Sequence, residues 1–135
     1  MSGAARPGQA PPADERTEAR MAIMRVALLC PAPTPDITAR LRDSGHIVHA
    51  YDSAQQLLRE LGRESFDLLL VDWELPDSSG PDIVRWVREQ ISKEVPIIFV
   101  THRSEEADII EGLASGADDF MIKPIRAGEL RARIA

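Results

Sequence analysis

Five short apolar segments, each followed by a segment with helical periodicity, constrain the fold more than any other feature of this sequence. They are RVALLC, HIVHAY, DLLLVD, PIIFVT and DDFMI, beginning at residues 25, 46, 67, 96 and 118. Strands alternating with helices are typical of βα units and a parallel sheet. The central segments are continuously apolar, as expected for strands covered on both faces. The sequence therefore predicts an α/β fold, a flavodoxin-like (βα)5 three-layer sandwich with a parallel five-stranded sheet of order 2-1-3-4-5.

The segments between the strands carry helical periodicity and end signals. They predict helices at 35–43, 53–61, 81–92 and 105–115, and a last helix that begins near residue 126. Thr34 and Ser104 stand where N-caps of the first and fourth helices belong, and Gly62 and Gly116 close the second and the fourth. The last helix, ELRARIA, has no C-cap, and we interpret it as a truncated helix, the first part of a longer one.

Residues 1–24 differ in composition from the rest and are expected to form a tail. Residues 1–13 are rich in Ala, Gly and Pro, which predicts flexibility, and the charge spacing of residues 14–23 favours a short helix. The predicted domain covers 25–135, with Met24 as a candidate natural start. The charges of the tail cancel, so the net charge of −6 belongs to the domain. A domain this acidic is a poor nucleic-acid binder by itself.

The cellular location is limited by what the composition lacks. No apolar segment approaches the roughly 20 residues that span a bilayer, so no membrane association is expected. The first residues lack the apolar core of a secretory signal. Cys30 is the single cysteine, which excludes a disulfide within the chain and suits a reducing compartment. We therefore expect a cytoplasmic protein.

Polar residues follow the predicted strands at one edge of the sheet. Cys30 follows the first strand, Asp72 follows the third, Thr101 ends the fourth and Lys123 follows the fifth. Parallel strands place their carboxyl ends at the same edge, where ligands bind in open α/β sheets. A carboxylate, a hydroxyl and an ammonium gathered there can manage a phosphoryl group. The carboxylate acts as the nucleophile and the other two donate to the phosphoryl oxygens.

The segments FDLLLVDWELPDSSG, PIIFVT and SGADDFMIKP, taken together, resemble the receiver domain of two-component response regulators. The resemblance implies that Asp72 is the phosphoacceptor, that Thr101 and Lys123 bind the phosphoryl group, and that Phe120 is the aromatic switch residue. It also implies a cis bond before Pro124 and a histidine kinase as a partner. The last segments most resemble receivers of winged-helix transcriptional regulators. DNA binding is then expected only through an output domain that is absent here.

The end of the first strand departs from the family pattern. The family carries there a pair of acids that hold Mg²⁺, whereas RVALLCPAP places Cys30 and Pro31. A thiol is a soft ligand and proline has no ligand side chain. We therefore expect weak or absent Mg²⁺ binding, impaired phosphorylation of Asp72 and no other cofactor. If a metal binds, Asp72 and Glu74 are the candidate ligands, and a transition-metal set that adds Cys30 and His102 is a weaker alternative.

Glu74, His102 and Arg103 are expected to form the rim of the cleft. Glu74 and Arg103 each lie two positions beyond the key residue of adjacent strands, which predicts an ion pair across the mouth. His102 stands at a position that is small in the family, where an imidazole would crowd a phosphoryl group.

Three alternatives to an atypical receiver stay open. They are a conventional phospho-accepting receiver, a receiver-like sensor of a small molecule, and a phosphatase with an aspartate nucleophile. The third is disfavoured because the motif Asp72-Trp73-Glu74 lies on the third strand rather than the first. The chain is therefore expected to be a signalling switch of a two-component phosphorelay and not an enzyme.

The resemblance also implies a homodimer, formed through the face of the fourth helix, fifth strand and fifth helix. Asp118 and Asp119 match the acids of that face, and Arg133 matches a basic partner. Ile109 stands where a base is usual in the family. Fewer ion pairs and more apolar contact are therefore expected than in related dimers.

Overall fold

The computed structural model describes residues 23–31 and 35–134, in which five strands alternate with five helices. The predictions for residues 1–22 and for Thr34 lie outside the described residues. The strands are β1 (Arg25–Leu29), β2 (Ile47–Tyr51), β3 (Leu68–Val71), β4 (Ile97–Thr101) and β5 (Asp119–Ile122). The helices are α1 (Pro35–Asp43), α2 (Ala54–Leu61), α3 (Gly80–Gln90), α4 (Glu106–Ala114) and α5 (Ala127–Ile134).

Each neighbouring pair of strands is parallel, and the strand order is β2-β1-β3-β4-β5. This confirms the predicted sheet. Leu29, the last residue of β1, lies opposite Tyr51 of β2 and Val71 of β3. Because these strands end level with one another, the residues that follow them share one edge of the sheet.

The side chains of β3 alternate between two buried clusters, one on each face of the sheet. Leu69 and Val71 pack with residues of α2 and α3, while Leu68 and Leu70 pack with residues of α1 and α5. Both faces of the strand are therefore covered. This explains the continuous apolar run in the sequence and produces the three layers.

Two helix starts follow ordinary capping chemistry. The side chains of Ser53 and Ser79 accept hydrogen bonds from backbone amides in the first turns of α2 and α3. Such caps satisfy amides that have no partner within the helix.

Helix α4 is anchored differently from α2 and α3. Its N-cap position is Glu105, so the prediction of Ser104 is wrong by one residue, and no side-chain hydrogen bond caps the helix there. Within α4, all of which the structure describes, only Gly112 is buried. Helix α3, by contrast, buries five residues. Packing therefore holds α4 less firmly than α3.

Met24, one residue before the predicted start of the domain, contacts the segment that leads into β2. The Met24 amide donates to Nδ1 of His46 at 3.1 Å, and its carbonyl accepts from the Ile47 amide at 2.9 Å. These contacts attach the start of β1 to β2. Within the described part of the chain, no helix is long and apolar enough to cross a membrane.

Candidate functional site

The carboxyl ends of β1, β3 and β5 bring Cys30, Asp72 and Lys123 into contact. Nζ of Lys123 donates to Oδ2 of Asp72 at 2.9 Å, and the thiol of Cys30 donates to the same oxygen at 3.3 Å. Nζ of Lys123 also lies 3.5 Å from Sγ of Cys30. One oxygen of the candidate phosphoacceptor is therefore shared by an ammonium and a thiol.

The second carboxylate oxygen of Asp72 is also engaged. Oδ1 accepts the backbone amide of Trp73 at 2.6 Å. Asp72 is only 8% exposed and is the one buried acid among the residues whose exposure the structure describes. Each carboxylate oxygen has about two lone-pair sites, so two donors occupy those of Oδ2 while Oδ1 accepts one donor.

Thr101 lies beside this group as the last residue of β4. It is buried, and its Oγ1 accepts the amide of Arg103 at 3.3 Å. Its carbonyl accepts the backbone amide of Lys123 at 2.7 Å, which joins the lysine segment to β4. The bond between Lys123 and Pro124 is cis, as predicted.

The shared oxygen couples the protonation of Cys30 to that of Lys123. Burial raises the pKa of the Cys30 thiol, the charge of Lys123 opposes that rise, and Asp72 adds to it. The net shift is upward, so the thiol is held in its neutral form. Burial by itself would lower the pKa of Lys123, but the hydrogen bond and charge of Asp72 outweigh it and the pKa is raised. The pocket therefore contains one ion pair and one neutral thiol, with a net charge of zero.

The donor atoms around Asp72 are a poor fit to Mg²⁺. This ion requires about six oxygen ligands in octahedral geometry. The pocket instead supplies one carboxylate already paired with Lys123, a thiol from Cys30 and no side-chain donor from the exposed Pro31. No group of three or more His, Cys, Asp or Glu in the described ranges could hold a metal ion.

Arg103 occupies the rim of the pocket, where Nε donates to Oε2 of Glu74 at 2.8 Å. This confirms the ion pair predicted from the strand geometry. Arg103 also contacts Asp108 of α4 at 3.3 Å, and its Cζ lies 5.0 Å from the centroid of the Trp73 ring. His102, the third predicted rim residue, is exposed.

Asp108 and Trp73 were not predicted as partners of Arg103. Acids in the first turn of a helix are usually interpreted through the helix dipole, and that interpretation hides the role of Asp108. A sequence signal does exist, because Asp108 lies in the first turn of α4 and only five residues after Arg103.

Phe120 is buried below the rim rather than open to solvent. Its ring centroid lies 5.7 Å from that of Phe99 and 6.2 Å from that of Trp73. The Trp73 and Phe99 centroids are 5.3 Å apart. The three rings form one cluster between β3, β4 and β5, and we call Trp73, Phe99 and Phe120 the aromatic cluster.

A second unpredicted contact secures the loop after β3. The Asp77 carboxylate accepts the backbone amides of Ala54 and Gln55, both at 3.0 Å. These two hydrogen bonds lower the pKa of the Asp77 carboxyl. The loop that follows Asp72 is thereby joined to the start of α2. The sequence LPDSSG offered only a turn signal at this position.

The charges expected on the dimer face find partners within the chain. Asp118 accepts from Arg88 at 3.0 Å and from the Ile97 amide at 2.9 Å, so its carboxylate is directed toward α3 and the start of β4. Arg133 donates to Asp119 at 2.8 Å. Aspartates one residue apart in β-structure project in opposite directions, which explains why only Asp119 reaches α5.

Large apolar side chains are exposed on α4 and β5. Ile109 is half-buried against the core, so it is not the most accessible apolar residue of α4. The side chains most open to solvent on α4 and β5 are Ile110, Leu113 and Ile122.

Residues 35–135 match the family model of the response regulator receiver domain. The match begins after β1 and so does not include Cys30 and Pro31. The two-component response regulator PhoP of Pseudomonas aeruginosa is 41% identical over 95 residues, which are 70% of this chain and 42% of that protein. The phosphate regulon transcriptional regulatory protein PhoB of Escherichia coli K12 is 41% identical over 85 residues, 62% of this chain and 36% of that protein. The chain thus spans about two fifths of the length of the curated relatives it matches.

Solved structures share the fold. A putative response regulator from Chloroflexus aurantiacus superposes with a TM-score of 0.79 at 25% identity, covering 84% of this chain and 95% of that one. The receiver domain of the sensor histidine kinase PA1611 from Pseudomonas aeruginosa, with a magnesium ion coordinated in its active site cleft, has a TM-score of 0.73 at 28% identity. It covers the same shares of both chains.

Proposed function

The chain belongs to the response regulator receiver domain family, and on that premise we propose that it is an atypical receiver. As a receiver domain it is a signal-transduction switch. The proposal is that its signalling does not depend on Mg²⁺-supported phosphorylation of Asp72. The observation that carries it is the shared Oδ2 atom of Asp72, which accepts both Lys123 and the thiol of Cys30.

The electrostatics of phosphoryl transfer support this proposal. An incoming phosphoryl group carries negative charge to a carboxylate, and a bound divalent cation is the usual means of offsetting that charge. Lys123 is the one cation in contact with Asp72 among the described residues, and it already neutralises the carboxylate. Cys30 and Pro31 contribute no negative charge with which to recruit a metal ion. The charges and the lack of metal ligands in the pocket thus favour the unphosphorylated form of Asp72.

The second candidate function is a conventional phospho-accepting receiver. It is favoured because Asp72, Thr101 and Lys123 are all present at the carboxyl ends of neighbouring strands. In that case Glu74 or a shell of water replaces the missing acids. A receiver-like sensor of a small molecule is the third, and a thermal-shift screen with metabolites tests it.

Incubation with acetyl phosphate and Mg²⁺, followed by intact mass measurement, distinguishes the first two. We expect little or no gain of a phosphoryl group. Rapid and nearly complete gain that disappears in Asp72→Asn would establish the conventional receiver instead.

A gain-of-function variant makes the same test from the other direction. Cys30→Asp with Pro31→Asp restores two carboxylates beside Asp72 and should confer Mg²⁺ binding, measured by the fluorescence of Trp73. Cys30→Ser with Pro31→Ala is the matched control, because it removes the same side chains without adding charge. Equal Mg²⁺ affinity in the two double variants would contradict the proposed cause.

The parent protein is proposed to be a cytoplasmic transcriptional regulator. The relatives named PhoP and PhoB are longer regulators, and the matched residues make up 42% and 36% of them. We propose that a DNA-binding output domain and a histidine kinase partner belong to the full-length protein, and that DNA is contacted only through that output domain.

The proposed homodimer uses the face of α4, β5 and α5. Its support is the exposed apolar set Ile110, Leu113 and Ile122 on α4 and β5, together with the Asp119–Arg133 pair that joins β5 to α5. Because exposed ion pairs contribute little individually, the apolar side chains are expected to supply most of the affinity.

A further inference from the structure

Arg103 makes more directed contacts than a rim arginine needs for charge balance. Its guanidinium donates to Glu74 on the loop after β3 and to Asp108 on α4, and it lies over the face of the Trp73 ring. Its backbone amide donates to Thr101. Four separate groups, from three segments of the chain, thus meet at one residue.

Few buried side chains hold helix α4, where Ile109 is half-buried against the core. Its N-cap side chain makes no capping hydrogen bond, and only Gly112 among its residues is buried. A Cβ added at Gly112 would lie 3.1 Å from the rings of Phe99 and Phe120, so the helix backbone rests directly on the aromatic cluster. Asp108, one turn earlier, is the residue through which Arg103 reaches the helix.

The two attachments of α4 converge on Trp73. Arg103 covers one face of the indole, and the same indole packs against Phe99 and Phe120, the rings that support Gly112. Trp73 is 6% exposed although it immediately follows the pocket residue Asp72. Arg103 therefore contacts the start of α4 through Asp108. It also packs on the aromatic cluster that supports the end of α4 at Gly112.

We propose that Arg103 is a positioning residue that fixes α4 on the aromatic cluster, acting through Asp108 and through Trp73. The position of α4, and therefore of its exposed residues Ile110 and Leu113, is then set by the contacts that Arg103 makes at the rim of the pocket. This inference goes beyond the proposed function, because it holds whether or not Asp72 accepts a phosphoryl group. Any partner or ligand that draws Arg103 away from Glu74 and Asp108 would loosen α4 without touching Asp72.

The test uses the Trp86→Phe background, so that fluorescence reports Trp73 alone. Acrylamide quenching measures access to the indole, and amide hydrogen exchange measures opening of α4. In Arg103→Ala we expect both to rise, α4 exchange by about fivefold, the factor that corresponds to losing a charge pair at the upper end of its usual strength. Arg85→Ala is the matched control, because it removes an exposed arginine that pairs with Asp82 at 3.0 Å on α3.

Two further variants separate the two routes. Asp108→Asn should raise α4 exchange while leaving quenching of Trp73 unchanged. Arg103→Lys should recover less than half of either effect, because an ammonium keeps the charge but lacks the planar fork and the stacking face.

The proposal is overturned if Arg103→Ala matches Arg85→Ala in both measurements, or if Asp108→Asn leaves α4 exchange at the parent value. Full recovery in Arg103→Lys overturns the contribution of the Trp73 stack. Phosphorylation is measured separately with acetyl phosphate. The quenching and exchange results therefore test the role of Arg103 even if Asp72 proves to be phosphorylated.

Discussion

Nζ of Lys123 lies 2.9 Å from Oδ2 of Asp72, and the two side chains are only 10% and 11% exposed. A thiol shares the same oxygen, since Sγ of Cys30 is 3.3 Å away. Charges this poorly hydrated must compensate one another, because each would be costly to bury alone. The pair therefore links the stability of the domain to the chemistry of its pocket.

Loss of the Lys123 ammonium should destabilise the fold far more than loss of an exposed lysine. Lys123→Met leaves the Asp72 carboxylate buried without its partner, which costs about 3 kcal/mol in the free energy of unfolding. Urea denaturation measures it. Lys93→Met is the matched control, because Lys93 is exposed, and it should change the free energy by less than about 0.5 kcal/mol. Asp72→Asn combined with Lys123→Met should recover part of the loss, and strict additivity would contradict coupling.

The thiol of Cys30 should titrate above the ordinary cysteine value of about 8.5. The rate of alkylation by iodoacetamide against pH measures this, because only the thiolate reacts. The charge of Lys123 lowers the pKa of the thiol, so Lys123→Met should shift the alkylation profile to higher pH. Asp72 raises the pKa of the thiol, so Asp72→Asn should shift the alkylation profile to lower pH. Shifts of the same sign in both variants would show that the three groups are not coupled as their contacts indicate.

Three groups with a raised pKa in the folded state, Cys30, Lys123 and Tyr51, should make stability fall at alkaline pH. The Cys30 thiol has a raised pKa in the folded state, so the unfolded chain ionises first and stability falls as pH rises through about 8.5. Lys123 also has a raised pKa in the folded state. Its contribution is complete below about pH 10.4 and is lost as pH rises through the folded value. Urea midpoints between neutral and alkaline pH should show both declines.

Cys30→Ser isolates the first decline, because a serine hydroxyl does not ionise in this range. The fall that begins near pH 8.5 should vanish in this variant, while the later fall, to which Lys123 and Tyr51 contribute, remains. An unchanged profile would mean that Cys30 contributes nothing to alkaline sensitivity.

Gly80 at the start of α3 should tolerate no side chain. A Cβ there would lie 2.6 Å from the Phe99 ring and 2.7 Å from the carbonyl oxygen of Asp72. Gly80→Ala should therefore cost about 3 kcal/mol by overpacking. Gly128 lies in α5 with no neighbour within 4 Å of its Cβ position, so Gly128→Ala should stabilise by up to about 1 kcal/mol. Thermal unfolding of both variants measures the contrast, and equal effects would refute it.

The untreated protein should dimerise through the α4–β5–α5 face, with a dissociation constant below about 100 µM in sedimentation experiments. Ile110→Glu should weaken the dimer at least about tenfold, since it places a charge in the apolar part of the face. Ile47→Glu is the matched control, because Ile47 is also an exposed isoleucine, 49% against 58%, but lies on β2 at the opposite edge of the sheet. A monomer throughout this range, or equal effects of the two variants, would contradict the proposed face.

The arrangement of the strands was determined by the sequence alone. Five apolar segments, continuous in the two central ones, predict a parallel sheet covered on both faces, and right-handed crossovers leave few strand orders. Parallel strands end at one edge, so the convergence of Asp72, Thr101 and Lys123 follows from topology. The Glu74–Arg103 pair follows as well, because both residues lie two positions past the key residue of neighbouring strands.

Side-chain partnerships at that edge were decided only by the tertiary structure. Cys30 could have been a buried apolar residue, but packing placed its thiol on the same oxygen as Lys123. Asp118 and Asp119 are equivalent in sequence, yet one turns to Arg88 and the other to Arg133. Strand order depends on patterns repeated along the chain, whereas a hydrogen-bond partner depends on rotamers and distances between elements far apart in sequence. That is why the sequence located the pocket and only the folded chain showed how its groups are paired.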